Sequence, residues 1–141
     1  MYLEKIKPIA FALLLPLLML SCSKGGGGGD NPPPPPTEEN LVIGIDPDPG
    51  ADFAKALGAS YAFKLQVKSK MPPQGIEGTV IFRKESDNSV VSSQNVSGTT
   101  ANIDVTISGI DFNMVGIVAI DVKSKSKATN TASKTFKLHR K

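Results

Sequence analysis

The chain has no tryptophan, one cysteine, one histidine and two tyrosines among its 141 residues. A lone cysteine excludes an intrachain disulfide framework. With a lone histidine it also excludes a thiolate or imidazole metal cage and any cysteine–histidine catalytic pair. Aromatic residues make up 6% of the chain, and Tyr2 falls in the leader, so no stacking platform for sugars or bases is available. No apolar run reaches the roughly 17–25 residues that a membrane-crossing helix needs. What is present divides into a leader (residues 1–21), a tether (22–40) and a body (41–141), the last long enough for one small domain with a single core.

In the leader, Lys5 and Lys7 outweigh Glu4, and Ile9–Leu20 is a run of twelve uncharged residues interrupted only by Pro16. A weakly positive start followed by a short apolar run is the pattern of a secretory signal peptide. Met19-Leu20-Ser21-Cys22 then resembles the lipobox of bacterial lipoproteins, with Met19 where leucine is usual. The resemblance implies cleavage between Ser21 and Cys22, a diacylglycerol on the Cys22 thiol, and acylation of the new amine with a fatty acid such as palmitate. It places the protein in the bacterial cell envelope, anchored at the outer membrane. Each buried methylene contributes about 0.8 kcal/mol, so two or three chains on Cys22 would hold it there.

The tether carries five consecutive glycines (Gly25–Gly29) and five consecutive prolines (Pro32–Pro36). The first block is a flexible coil and the second favours extended polyproline II. Neither can bury apolar surface. Fully extended, Ser23–Asn40 reaches at most about 60 Å. The proline block could also be read by a groove for polyproline II segments. Lys24 and the glycines follow Cys22 where acidic residues often mark display on the outer surface, so the surface and the periplasmic face both remain open.

From Leu41 onward apolar residues recur with period two, which predicts half-buried strands. Leu41-Val42-Ile43 opens the first. Tyr61, Phe63, Leu65 and Val67 share one face of the second, and Val80 and Phe82 point inward on the next. Ser86-Asp87-Asn88-Ser89 reads as a hairpin turn into Val90-Val91. Ile103, Val105 and Ile107, then Val118, Ile120 and Val122, then Phe136 and Leu138 complete the pattern. About seven strands joined by turn-rich segments predict an all-β, two-sheet antiparallel sandwich. Ala51–Leu57, with helix-forming composition and Gly58 at its end, predicts a short helix between the first two strands.

Gly116 leading into Val118, Ile120 and Val122, then Lys127–Ala132, then Phe136 and Leu138, resembles the last hairpin of bacterial immunoglobulin-like or fibronectin type III-like domains. Val118 stands where an aromatic is usual, and Ala128-Thr129 replaces the usual glycine. The resemblance implies an immunoglobulin-like sandwich and says almost nothing about function.

Three features could carry chemistry. Asp46, Asp48 and Asp52 place three carboxylates in seven residues, a conceivable calcium loop, although EF-hand spacing is not met. Turn formation explains the same residues, and no metal or other cofactor is assigned. Lys123, Lys125, Lys127, Lys134 and Lys137, with Arg140 and Lys141, give a C-terminal segment without an acid. On a final hairpin they would form a basic patch for headgroups, acidic glycans or an acidic partner, or simply guard an edge strand. His139 has no nucleophile or orienting acid near it in sequence. Asn95-Val96-Ser97 matches a glycosylation pattern that is idle in a bacterial lipoprotein.

The expected function is therefore a non-enzymatic, membrane-anchored interaction or accessory module. Its partners are the membrane, through Cys22, and an envelope protein; nucleic acid is not one. An adhesin or pilus-type subunit is the alternative, and a calcium- or glycan-binding domain stands behind that.

Overall fold

The computed structural model describes residues 37–50 and 53–141. Eight strands follow in order: β1 (Ile43–Asp46), β2 (Ala54–Ala56), β3 (Ser60–Val67), β4 (Ile76–Lys84), β5 (Val90–Gly98), β6 (Asn102–Ser108), β7 (Val115–Ser124) and β8 (Thr131–Arg140). They form a three-stranded sheet, β1-β3-β6, and a five-stranded sheet, β2-β8-β7-β4-β5. Every pairing is antiparallel except β2 with β8. The predicted all-β sandwich is thus present, with eight strands among the described residues.

Alternation decides which side chains enter the core. In β7, Val118, Ile120 and Val122 are buried while Asp121 and Lys123 are exposed. Opposite them in register lie Phe136, Lys134 and Ala132 of β8. Phe63, Leu65 and Val67 of β3 and Val105 and Ile107 of β6 supply the facing sheet's share of the core. Phe63 and Phe136 meet edge to face, with ring centres 5.6 Å apart, and so join the two sheets. Tyr61, expected inward, is half-buried and tilts against both rings. Burial raises its hydroxyl above the ordinary tyrosine pKa.

The short helix is corrected. Ala54–Ala56 are a strand, with Ala54 and Ala56 buried and Lys55 exposed, a period of two. They pair in parallel with Leu138–Arg140. Small alanine side chains let the backbone lie close along β8, and the ladder hydrogen bonds outweigh a modest helix propensity. The first two residues expected in that helix, Ala51 and Asp52, lie outside the described residues. The consequence is topological: the N-terminal part of the body contributes β1 to one sheet and β2 to the other.

The β4–β5 hairpin turns as its polar sequence predicts, with Asn88 at φ 59°. One irregularity follows. Phe82 pairs with Ser92 and Arg83 with Val90, so Val91 is the extra residue of a bulge.

Candidate functional site

The registers sort the loops to two poles. One pole gathers the start of β1, the β3–β4 loop (68–75), the β5–β6 turn (99–101) and the β7–β8 turn (125–130). This is the pole where the chain enters the body. The far pole gathers residues 57–59, the β4–β5 turn (85–89), the β6–β7 loop (109–114) and the end of β8.

At the entry pole a polar lock holds the chain's first described residues. Asn130 Nδ2 donates to the Glu39 carbonyl at 2.8 Å, and Asn130 Oδ1 accepts the Leu41 N–H at 2.7 Å. Ser124, fully buried, donates its hydroxyl to Glu38 and accepts the N–H groups of Ser126 and Lys127. Glu39 Oε2 accepts the Lys70 N–H at 3.1 Å. The sequence reading ends the tether at Asn40. Glu38 and Glu39, at the end of that stretch, are bonded to the body.

Two of the three aspartates, Asp46 and Asp48, lie among the described residues. Asp46 ends β1 opposite Lys64, and Asp48 Oδ1 accepts the Gly50 N–H at 2.9 Å, closing a local turn. Asp52 lies outside the described residues. Among the described residues no cluster of three metal-ligating side chains occurs.

The lysines do not form one stripe. Lys123 and Lys137 share the outer face of the five-stranded sheet, and each has an acid: Glu77 at 3.3 Å and Glu85 at 2.6 Å. Lys134 lies opposite Ile120 on the inward-facing side and is half-buried. Lys125 and Lys127 sit in the entry-pole turn, whereas Arg140 and Lys141 end the chain at the far pole. The expected patch is therefore divided between faces and poles.

The far pole carries what sequence reasoning missed. Among the described residues seven large hydrophobic side chains are exposed, and six of them cluster toward this pole: Phe53, Leu57, Val90, Phe112, Val115 and Ile117. Val42 alone lies at the entry pole. Phe53 meets the His139 ring edge-on at 5.2 Å, and the Lys137 ammonium stands 5.5 Å from the Phe53 ring centre. His139 pairs in register with Val115 and Lys137 with Ile117, which places Val115 and Ile117 beside the Phe53–His139 contact. Two open clefts share Val115 and Asn113. One, about 560 Å³, lies between Lys84–Ser86 and Asp111–Val115. The other, about 260 Å³, is lined by Phe53, His139 and Arg140. Arg140 is fixed by its guanidinium bond to the Ile110 carbonyl at 2.9 Å. Contiguous exposed apolar surface with a charged rim is what protein contacts use. The sequence signal was Asp111-Phe112-Asn113, an aromatic between polar loop residues, a position that core formation does not require.

The shifted ionisable groups lie outside that pole's clefts. A hydrogen bond to Asp104, reinforced by its charge, raises the Lys64 pKa on the outer face of the smaller sheet. Hydrogen bonds from Ser89 lower that of Asp87 in the β4–β5 turn. Both are exposed local pairs, which explains the shifts without catalysis. No family model matches the chain, and no curated protein matches it.

Proposed function

We propose that the protein is a lipid-anchored, non-enzymatic immunoglobulin-like module of the bacterial cell envelope that binds a partner protein through its far pole. The observation that carries this is the opposition of poles. The chain enters the body at one end, and among the described residues six of the seven exposed large hydrophobics gather toward the other. A tethered recognition module needs its contact surface turned away from its anchor.

The anchor rests on Met19–Cys22 and the leader before it. The immunoglobulin-like assignment is supported by the order β1-β3-β6 against β2-β8-β7-β4-β5, with the N-terminal segment divided between sheets. The non-enzymatic reading is supported by His139, whose ring packs on Phe53, and by the two described aspartates of the 46–52 loop, which serve a strand end and a turn.

Two measurements test it together. Radiolabelled fatty acid should enter the wild-type chain and be lost in Cys22→Ser. A photo-crosslinking residue at Phe112 should capture an envelope protein that the same residue at Val42 does not. Label retained in Cys22→Ser removes the anchor, and equal capture at both positions removes the far-pole surface.

A further inference from the structure

The smaller far-pole cleft, about 260 Å³, has an apolar floor and a basic wall. Phe53 and Val115 form the floor, Arg140 and Lys141 the wall, and His139 and Asn113 complete the lining. Among the described residues no acid lines it. Glu85 and Asp111 line the neighbouring cleft instead, and Lys137 engages Glu85 at 2.6 Å. Neither Arg140 nor Lys141 forms a salt bridge with a described acid. Arg140 is nevertheless held in place. Its Nη1 donates to the Ile110 carbonyl at 2.9 Å, and its backbone N–H donates to the Met114 carbonyl at 3.1 Å. A guanidinium has more donors than this one bond uses, and the rest have no partner among the described residues. The floor is placed too: the Phe53 ring meets His139 edge-on and lies under the Lys137 ammonium.

We propose that this cleft takes an acidic segment of the partner protein. A large apolar side chain of that segment rests on Phe53 and Val115, and an aspartate or glutamate within two residues of it meets the Arg140 guanidinium. The inference rests on the far-pole reading of function and names the chemistry of the partner. Charge selects the carboxylate: a guanidinium without an acid of its own presents paired donors that match two carboxylate oxygens. Because the Ile110 carbonyl already orients Arg140, capture of that carboxylate orders little that was free.

Size and continuity select a protein segment over a small anion. Small-molecule pockets run from roughly 300 to 1,000 Å³, so this cleft suits a side chain more than a whole ligand. It shares Asn113 and Val115 with the cleft of about 560 Å³, so a segment seated in one continues into the other. A phosphate or sulfate would meet Arg140 and Lys141 but leave the Phe53–Val115 floor wet. Lys141 adds charge to the wall without a bond that positions it, so Arg140 carries the selectivity for an acid.

A random heptapeptide display library, presented to the immobilised full chain in non-ionic detergent, tests this chemistry. Wild type is expected to enrich peptides with an acid within two residues of a large apolar residue. The best of them is then made in two forms, one with the acid and one with its amide isostere. Arg140→Gln is expected to bind the acidic form about tenfold or more weakly, and the amide form as wild type does. Phe53→Ser is expected to weaken both. Equal weakening of both forms in Arg140→Gln would make Arg140 a structural residue and overturn the proposal. So would a complete lack of enriched peptides. Enriched peptides without acids that lose binding in Phe112→Ser would overturn the carboxylate while leaving the far-pole contact standing. Asp52, which precedes Phe53 and lies outside the described residues, supplies the last arm. A tenfold gain in Asp52→Asn would mean that the chain's own acid fills the site, and would overturn the proposal.

Discussion

Asn130 accepts the Leu41 N–H at 2.7 Å across 89 residues of sequence. The same side chain donates to the Glu39 carbonyl, so one amide in the β7–β8 turn satisfies both a buried donor and an acceptor of the entering chain. Asn130 is therefore a joint between the tether and the sheet that carries β7 and β8.

Asn130→Ala should leave the Leu41 N–H buried without a partner. A lost bond of this kind costs about 1–3 kcal/mol, since the abandoned group keeps its full desolvation penalty. Chemical denaturation should show a lower midpoint at unchanged slope. An unchanged midpoint would mean that the entry-pole lock contributes nothing to stability.

Two glycines should respond in opposite directions. A β-carbon at Gly116 would collide with the Arg83 carbonyl oxygen and the Phe82 ring, both parts of the neighbouring strand that cannot give way. Gly116→Ala should therefore cost about 1–3 kcal/mol through overpacking, and the melting temperature should fall by about 4–8 °C for each kcal/mol lost. Gly58 has open space around it and no positive φ. Gly58→Ala should be neutral or stabilise by about 0.4–1 kcal/mol through the unfolded chain's lost freedom. Thermal melts of the pair provide the comparison.

How much of this was legible in the sequence follows from what alternation can encode. Ile103, Val105 and Ile107 lie between polar neighbours, so one face of β6 could be read directly, and Val105 and Ile107 are buried as the pattern requires. The same rule places Lys134 inward, two residues before Phe136, but a list of lysines along the chain hides that parity. β2 was illegible for another reason. Ala54-Lys55-Ala56 is too short to display a period, and what makes it a strand is the edge of β8, which comes from more than eighty residues away. The far-pole surface was hidden likewise. Phe53 and Ile117 belong to separate segments, and only the register of β7 with β8 and the packing of Phe53 on His139 bring them together.

The β4–β5 turn should carry a measurable pH signature. Ser89 donates its hydroxyl at 2.6 Å and its N–H at 2.9 Å to Asp87 Oδ1, and these bonds hold the carboxyl below its ordinary range. A depressed carboxylate pKa adds stability above the unfolded value, about 3.9, and loses it as pH falls through the lower folded value. Ser89→Ala should move the Asp87 titration upward, read by NMR on its carboxyl carbon. Any stability gap between wild type and variant should be present at neutral pH and close in acid. A titration unmoved by the substitution would assign the shift to another cause.

The far-pole surface should separate binding from folding. Phe112 is 68% exposed, whereas Phe82 is fully buried between β5 and β7. Phe112→Ser should change stability by no more than about 0.5 kcal/mol, the range of surface substitutions away from special features. Phe82→Ala should cost about 3–5 kcal/mol from lost burial and the cavity left behind. If the far pole recognises an envelope partner, Phe112→Ser should abolish co-purification of that partner while its melting curve overlays wild type. A stability loss comparable to that of Phe82→Ala would reassign Phe112 to the fold. Unchanged co-purification would remove it from the contact.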